Sequence, residues 1–438
     1  MQNYFYALSD ALFKKINASE TLLIGFEGED SDFVRFNHNK IRQAGSVAQR
    51  TVHLDLIAGK RHANASVDIS GDIKIEISQL EQTLHSLREQ RKFLPEDPWL
   101  FYATEINNSE TFHDNEPVKS SDAIEQIQHA CGKMDMVGIF ANGHQYTGFS
   151  NSTGQRNWHS NASFNFDWSC YHEKDKAVKS DYAGFNWQHD IISEKMQHIR
   201  HQLAIISKPP ITIKPGEYRA YIAPAALNEI IGMMAWGGFS LKSHRTRETP
   251  LIQMLEQGRT LSPAFSLREN HARNLAPMFT DSGFIKPEQV QLIENGHYKD
   301  CLINPRSAAE YNQQINAEAE YPGALDLAPG NLPNNDILTE LGTGLYINNL
   351  WYLNFSDRNA CKLTGMTRFA CFWVEDSKIQ APINVMRFDE SIYDLLGENL
   401  HELTAEREFI FDASTYGQRS SSSIELPGAL VNAMRFTL

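Results

Sequence analysis

The sequence has 438 residues, of which 41% are hydrophobic and 21% are charged, a composition typical of globular proteins with two or three domains. Its 40 basic and 54 acidic residues give a net charge of −14, which argues against nucleic-acid binding because phosphate neutralisation requires a basic face. No run of about 18 apolar residues occurs, so the sequence predicts no membrane span.

The N-terminal residues and the cysteines indicate the compartment. The stretch MQNYFYALSDALFKKINASE has no basic lead-in, no continuous apolar core and no small-residue cleavage site. We therefore expect no signal peptide and a cytoplasmic protein. The cysteines are odd in number and form no CxxC pair, which argues against a zinc ribbon or a redox motif. Buried, reduced thiols are expected at all five positions: Cys131, Cys170, Cys301, Cys361 and Cys371.

The first third of the chain is predicted to mix helices with antiparallel strands. A helix is expected over SDALFKKI at 9–16, where serine and aspartate can cap the first turn. Alternating apolar residues over 32–69 predict a meander of two or three strands, with turns at NHNK and AGKR. Helices are predicted over 77–94 and over 120–133. The Asn142–Gly143 dipeptide predicts a hairpin turn in the segment that follows.

The stretch NWHSNASFNFDWSCYH, at 157–172, predicts a long strand with one apolar and one polar face. His159 and Asp167 both lie on the polar face, which invites a metal-ligand interpretation. Eight residues of strand separate them by about 26 Å, however, so they cannot share one ion unless the strand folds back. We therefore expect this face to meet solvent or a cavity.

A helix is predicted over ISEKMQHIRHQLAIIS, at 192–207. His198 and His201 lie three positions apart on it, a spacing that occurs in metal sites. Among Asp, Glu and Cys, only Glu194 lies one turn away on the same face. We therefore expect exposed histidines here rather than a metal site.

The proline-rich stretch KPPITIKPGEY predicts a domain boundary. We assign residues 1–208 to an N-terminal α+β domain and residues 209–438 to a second, β-rich domain. The fold class is α+β. The N-terminal domain is expected to carry an antiparallel sheet with packed helices, and the C-terminal one is expected to be mainly β around one buried helix.

That buried helix is predicted from the stretch APAALNEIIGMMAWGGFS, with bounds of 224–236. Pro224 suits the first helical turn, and Gly237 can end the run. Beyond Glu229 almost no side chain is polar, so the helix is expected to be buried nearly all round.

The rest of the chain is predicted to be loop-rich over 241–335 and mostly strand thereafter. Aromatic and β-branched residues predict strands in TGLYINNLWYLNF and KLTGMTRFACFWVEDSKIQAPI, with a hairpin turn at EDSK. A helix is expected over DESIYDLLGENL, followed by a final strand over LPGALVNAMRFTL.

Familiar catalytic motifs are absent from the sequence. It contains no GxGxxG, GxxxxGK[ST], HExxH or GxSxG pattern. The residues alone therefore identify a two-domain α+β protein without an active site that can be named.

Two segments nevertheless resemble the TldD/PmbA family, formerly called modulators of DNA gyrase, on its PmbA (TldE) side. Residues 344–396 follow the family's C-terminal order: a glycine-led strand, an aromatic-rich strand, an LTGM-type turn, a second strand, a hairpin and RFDES. SDFVRFNHNKIRQAG resembles its N-terminal strand pair, and PGALVNAMRFTL resembles its ending. The resemblance extends over nearly the whole chain and is looser between 240 and 335.

The resemblance implies a metallopeptidase family in which TldD-type members carry HExxxH on a helix at this point. In those members two histidines and a C-terminal cysteine bind zinc, and the glutamate acts as general base. Aligning that motif with GMMAWGGF places Met234, Ala235 and Phe239 where His, Glu and His belong. None of these can coordinate zinc or move a proton. Cys371 lies too far from the end of the chain to serve as the remaining ligand.

The resemblance therefore implies a PmbA/TldE-like subunit without catalytic or metal-binding residues and with no cofactor of its own. Zinc is expected only in a TldD-type HExxxH partner, with which the subunit would enclose a cavity for unfolded or leader peptides. Trp351, Tyr352 and Arg368 are candidate residues for one wall of the peptide site. The alternative is that Trp351 belongs to the core and that Arg368 forms a structural ion pair.

Three functions remain open from the sequence. The chain is the non-catalytic subunit of a TldD-type metalloprotease, a stand-alone homodimeric peptide-binding protein, or a hydrolase with a relocated site. For that last alternative the candidates are His144, His159 and His172. The expected partners are an HExxxH subunit or a second copy of the chain, together with an extended peptide. Neither nucleic acid nor a membrane is expected.

Overall fold

The computed structural model describes residues 1–113, 115–173, 176–273 and 276–437, which build two β-sheets with helices packed on them. The strands of the first sheet are β1 (Thr21–Asn37), β2 (Lys40–Ala58), β3 (Arg61–Asp68), β4 (Ser109–Phe112), β5 (Asp135–Asn151), β6 (Arg156–Glu173) and β7 (Lys176–Gly184). The strands of the second are β8 (Gly216–Ile222), β9 (Leu267–Asn270), β10 (Gln289–Glu294), β11 (His297–Tyr298), β12 (Ala324–Leu327), β13 (Gly344–Asp357), β14 (Lys362–Glu375), β15 (Lys378–Pro382), β16 (Arg387–Ser391), β17 (Leu400–Phe411) and β18 (Ser423–Phe436).

The α-helices of the described residues fall before, between and after these strands. They are α1 (Gln2–Phe13), α2 (Ile73–Arg91), α3 (Ser120–Cys131), α4 (His189–Ile206), α5 (Pro224–Gly238), α6 (Leu241–Arg245), α7 (Ile252–Gln257), α8 (Pro305–Tyr311) and α9 (Ile337–Leu341). The mixture of an antiparallel sheet, a larger mixed sheet and packed helices confirms the α+β class.

The first sheet has the strand order β3-β2-β1-β5-β6-β4, and β7 pairs with β6. Among the strands of this sheet in the described residues, only β4 runs parallel to its neighbour. The predicted meander is confirmed, with turns at 38–39 and 59–60. Its first strand begins at Thr21, eleven residues before the predicted start at 32.

The helix predictions are confirmed for α2 and α3 but misplaced the start of α1. Asp72 caps α2 by accepting hydrogen bonds from the backbone of Lys74 and Ile75. The leucines on one face of α2, three or four residues apart, are buried as predicted. In α1 the helix already begins at Gln2, so Ser9 lies inside it and donates to the Phe5 carbonyl at 3.0 Å. The predicted serine cap is therefore wrong.

The predicted hairpin at Asn142–Gly143 is also wrong, because β5 runs straight through this dipeptide. Gly143 pairs with Ser31 on one side and with Ser163 on the other, and its φ is +151°. A Cβ atom added here would lie 2.1 Å from the Asp30 carbonyl oxygen. The glycine is thus required by close approach of neighbouring strands rather than by a turn.

The second sheet has the order β11-β10-β9-β12-β18-β16-β14-β13-β8, with β15 on β14 and β17 on β18. Since β18 also pairs with β8, the strands β8, β13, β14, β16 and β18 close into a ring. The hairpin at EDSK and the final strand are confirmed. The helix predicted over 389–400 is reduced to a π-helical turn, Asp394–Glu398, next to β16, and β17 was not predicted.

Three main apolar clusters hold these layers together. One lies between α1, α2 and the strands β1 to β3, and a second between α3, α4 and the first sheet. The largest surrounds α5 within the second sheet. Strands of the first sheet end at Gly184 and those of the second begin at Gly216, while the division at 208/209 remains a prediction. No helix in the described ranges is both long and apolar enough to cross a bilayer.

Candidate functional site

Helix α5 places the residues that align with the HExxxH motif inside the core. It begins at Pro224 and packs within the apolar cluster of the second sheet. Met234 and Phe239 are 0% exposed and Ala235 is 2% exposed. The prediction of a buried helix is confirmed for these positions, and their side chains contact other apolar groups.

The end of α5 has a sharp kink that the sequence indicated only by its glycines. Trp236 has ψ +84° and Gly237 has φ +82°, so the helix breaks between them. A Cβ atom at Gly237 would lie 2.7 Å from Arg358 Nη2, which excludes a larger residue without rearrangement. The kink turns the Trp236 side chain outward, where it is 56% exposed.

Arg358 stabilises this kink from the second sheet. Its Nη2 donates to the Trp236 carbonyl at 2.7 Å, and its Nε donates to the Glu248 carbonyl at 2.8 Å. The same guanidinium lies 5.5 Å from the centroid of the Trp236 ring and 4.8 Å from that of Phe355. The broken end of α5 is thereby joined to β13 through a cation and two aromatic rings.

A second cation–aromatic cluster lies across the neighbouring strands β13 and β14. Arg368 Cζ is 4.0 Å from the Trp351 ring centroid and 4.7 Å from that of Phe369. Trp351 is 51% exposed and Tyr352 is 75% exposed. We name the residues Trp351, Tyr352 and Arg368 the aromatic surface. The alternative that Trp351 belongs to the core is wrong, and no ion pair of Arg368 is found within the described ranges.

The backbone at the aromatic surface is irregular. Tyr352 has φ +59° and Phe369 has φ +55°, a left-handed conformation that is uncommon for bulky residues. Strand β13 pairs with β14 along its length, with register shifts, but pairs with β8 only from Leu345 to Ile347. Beyond Ile347 the second edge of β13 has no partner strand among the residues described.

The histidine candidates do not form one site. His144 stacks on Tyr146 at 6.0 Å between centroids, and His159 is buried beside His113. His172 is exposed and lies thirteen positions from His159 on β6, or about 43 Å along the strand. The relocated hydrolase site that would use these residues therefore has no common geometry.

Other predicted metal candidates also lie apart or exposed. His198 and His201 on α4 are exposed, as predicted. Cys371 is buried, with its thiol 3.3 Å from the Arg368 carbonyl oxygen. The other four cysteines are buried free thiols, as predicted. No group of three or more His, Cys, Asp or Glu residues suited to a metal ion is found in the ranges that the structure describes.

The polar face of β6 is covered by protein from His159 to Asn165, whereas Asp167 is half-buried and forms an ion pair with Lys179 at 3.0 Å. His159, Asn161, Ser163 and Asn165 are all buried. Arg419, from the loop before β18, donates to the Ser163 hydroxyl at 2.8 Å and to its carbonyl at 3.0 Å. This loop lies across the first sheet, and Asn161 reaches a cavity beside it. The polar face was predicted to meet solvent or a cavity, and at Asn161 it meets a cavity.

That cavity, which we name the intersheet cavity, has a volume of about 360 Å³ and lies between the first sheet and loops of the second part of the chain. Its charged or titratable lining residues, apart from Tyr146 and Tyr321, are Glu27, Glu29, Glu269, His271, Asp281, Lys286, Glu318 and Arg419. Sequence reasoning found none of them, because they come from six separate segments and share no spacing. No local signal could have identified them.

Burial and mutual repulsion shift the pKa values in the intersheet cavity. Removal from water, and then the charge of Asp281, raise the pKa of Glu318 to about 7. Removal from water and the charge of Glu27 raise the pKa of Asp281. Burial lowers the pKa of Lys286, and burial next to that ammonium lowers the pKa of His271 to about 4. Glu318 can thus exchange a proton near neutral pH.

Comparison with known proteins identifies relatives at the level of family and fold. Residues 215–438 match the PmbA/TldA metallopeptidase C-terminal domain. The whole chain superposes on TldE from Thermococcus kodakarensis with a TM-score of 0.80 at 15% identity, covering 100% of both chains. No curated protein is similar to it in sequence.

Two bacterial structures show the same fold. A protein named as a modulator of DNA gyrase from Thermotoga maritima gives a TM-score of 0.77 at 15% identity, with 99% of this chain and 100% of that chain covered. A second protein so named, from Bacteroides thetaiotaomicron, gives 0.74 at 12% identity, with 99% and 98% covered. At these identities the likeness concerns the fold alone.

Proposed function

The chain belongs to the PmbA/TldA metallopeptidase family, and we propose that it is a PmbA/TldE-type member, the non-catalytic subunit of a peptide-cleaving complex. The observation that carries this proposal is the burial of Met234, Ala235 and Phe239 in the core. A thioether, a methyl group and a phenyl ring provide no imidazole nitrogen or carboxylate for zinc. These positions do not suit the family's metal, so the metal would belong to an HExxxH partner.

The aromatic surface supports binding of an extended peptide. An added strand is held by main-chain hydrogen bonds, which require a free strand edge. Beyond Ile347 the second edge of β13 offers such groups in the part of the chain that the structure describes. Trp351 and Tyr352 expose large rings beside that edge, and Arg368 adds a positive charge. Rings and guanidinium can contact peptide side chains of varied sequence.

The test is reconstitution with an HExxxH subunit of the same family. We expect light scattering to give the mass of a heterodimer and cleavage of an unfolded peptide to exceed that of the partner alone. Arg368→Ala should reduce cleavage, whereas Arg61→Ala, an exposed arginine on β3, should not. A homodimer that binds peptide but ignores the partner would instead support a stand-alone peptide-binding protein. Chelator-sensitive cleavage by the pure chain would contradict the proposal.

A further inference from the structure

The intersheet cavity is formed by parts of the chain that are far apart in sequence. One wall consists of β1, β5 and β6 of the first sheet. The opposite wall consists of β9, of the segments around Asp281 and Glu318, and of the loop that carries Arg419. Its volume of about 360 Å³ lies within the usual range for small-ligand sites.

Lys286 is a buried cation that points into this cavity without a partner. It is 7% exposed and lines the cavity. Within the described ranges, no carboxylate oxygen lies within 4.0 Å of its Nζ, and that atom makes no hydrogen bond. The Nζ atom is not sealed off by protein, so the ammonium group keeps contact with the cavity. An acceptor within the cavity would give this cation the partner that the described residues do not provide.

Two acceptors without a donor are buried in the wall of the cavity. Glu269 is 3% exposed, and while its Oε1 accepts from Gly323 and Ala324, its Oε2 has no hydrogen-bond partner. Gln145 Oε1 is likewise buried without a donor. Asp281 and Glu318 are crowded by surrounding protein atoms but keep some contact with solvent at the cavity mouth, and the Asp281 backbone donates to Glu318 Oε2 at 2.7 Å. Hydrogen-bond donors of a ligand would therefore find acceptors here.

The charge balance favours a ligand that carries ammonium groups. Five carboxylates line the cavity, against one ammonium and one guanidinium. Glu29 is already hydrogen-bonded to Ser31 and Gln49, and Glu27 is hydrogen-bonded to Gln418. The charges of Glu269, Glu318 and Asp281 act on Lys286 and oppose the effect of burial on its pKa. A ligand with both a carboxylate and an ammonium group would match both signs of charge.

We propose that the intersheet cavity binds a small basic zwitterion of amino-acid size. Its carboxylate lies against Lys286, and its ammonium groups lie against Asp281 and Glu318. This site is separate from the aromatic surface and independent of the function proposed above. A metal ion is not the ligand we infer, because no cluster of three suitable side chains occurs in the described ranges.

Calorimetry on the full chain at pH 8 tests the proposal with L-lysine and cadaverine, which is L-lysine without its carboxylate. We expect L-lysine to bind one per chain and cadaverine to bind about tenfold more weakly, because it leaves Lys286 unpaired. Lys286→Met should abolish that difference, and Glu318→Gln should weaken both ligands. Glu288→Gln, at an exposed position that does not line the cavity, should bind like the parent.

The pH dependence gives a second readout that needs no variant. Lowering the pH from 8 to 6 protonates Glu318, whose pKa is about 7, and the proton competes with the ammonium group. Protonation of Asp281 or of His53, next to Glu27, acts in the same direction, while His271 stays neutral over this range. Burial lowers the pKa of Lys286, so a proton gained there strengthens contact with a carboxylate but repels ammonium groups. Cadaverine, which has no carboxylate, should thus bind more weakly at pH 6. Absence of saturable binding at millimolar concentrations, or equal affinity for L-lysine and cadaverine, would refute the site.

Discussion

The guanidinium of Arg368 lies over the indole ring of Trp351, with Cζ 4.0 Å from the ring centroid, on a surface that is open to solvent. Trp351 is thereby held in place although only half of it is buried. Such a pair is worth roughly 0.5–1 kcal/mol at exposed sites. This energy is too small to contribute much to the stability of the fold. We therefore expect the pair to serve contact with a partner.

Replacing Arg368 should therefore separate binding from stability. We expect Arg368→Ala to weaken binding of a fluorescent unfolded peptide about three- to tenfold, while the free energy of unfolding changes by less than about 1 kcal/mol. Anisotropy titration and urea denaturation measure the two quantities. Arg368→Lys should retain part of the affinity, because it keeps the charge but loses the planar group. Unchanged affinity in Arg368→Ala would remove the aromatic surface from the peptide site.

Helix α5 provides a stability test. Met234→Asp should lower the free energy of unfolding by several kcal/mol, because it places an unpaired carboxylate in a fully buried position. Met234→Leu keeps the volume and should cost less than about 1.5 kcal/mol. Urea denaturation followed by circular dichroism compares the two variants. An aspartate variant as stable as the parent would mean that this part of α5 is exposed.

Gly143 tests the close approach of strands in the first sheet. Gly143→Ala should destabilise the chain by about 2 kcal/mol or more, because its Cβ would lie 2.1 Å from the Asp30 carbonyl oxygen. The matched control is Gly45→Ala on β2, where an added Cβ meets nothing within 4 Å. That variant should be neutral or slightly stabilising in thermal melts. Equal effects of the two substitutions would contradict the close approach described here.

Glu20 should make stability depend on acid pH. Burial acts to raise its pKa, but hydrogen bonds from Arg88, from the Asn17 backbone and from Arg91 prevail and lower it to about 2. The folded-state pKa is below the ordinary value near 4.5, so this stabilisation is complete above about pH 4.5 and is lost as the pH falls towards 2. We expect roughly 2–3 kcal/mol from this group.

The comparison of Glu20→Gln with Glu81→Gln checks that expectation. The former should lose stability at pH 7 and show a flatter stability curve between pH 4.5 and 2. Glu81 makes an exposed ion pair with Lys15 at 3.2 Å, and its replacement should cost less than about 1 kcal/mol. Parallel pH curves for parent and Glu20→Gln would show that Glu20 is not stabilised by its arginines.

The isolated chain is predicted to bind no stoichiometric zinc and to cleave no peptide. Metal analysis after zinc addition and desalting measures the first, and a peptide assay with and without chelator measures the second. Restoring His at Met234 and Phe239 and Glu at Ala235 should not create activity, because the third ligand and the groups that orient the ligands are also missing. Zinc bound one per chain would contradict this prediction.

The sequence predicted most elements whose pattern is local. The leucine spacing in α2 and the alternation in β6 follow directly from helix and strand geometry. The Asn142–Gly143 dipeptide misled because its glycine is required by the carbonyl of Asp30, on a strand more than a hundred residues earlier. A rule based on two adjacent residues cannot detect a contact with a distant strand. The prediction of a helix over 389–400 failed for a similar reason, because the start of that segment belongs to β16, which is extended through its pairing with β14.

For the same reason, the sequence predicted the aromatic surface but not the intersheet cavity. Trp351 and Arg368 could be named because they lie within one family-like stretch, although their stacking could not be foreseen. Lys286 and Glu269 could not be named, since Glu269 lies in a short strand and Lys286 in a loop, and neither belongs to a recognisable motif. Pairing of β9 with β10 brings their segments together, and the first sheet adds the opposite wall of the cavity. Long-range packing, rather than residue type, determines that cavity.

The ring of strands in the second sheet has a consequence for synthesis on the ribosome. Strand β8 pairs with β18, and the partners Ile222 and Ala429 are separated by about 200 residues. The ring cannot close until β18 has left the exit tunnel, whereas the meander of β1 to β3 needs only neighbouring segments. The nascent chain should therefore hold α5 with its apolar faces uncovered for much of translation, a period in which chaperones are needed most.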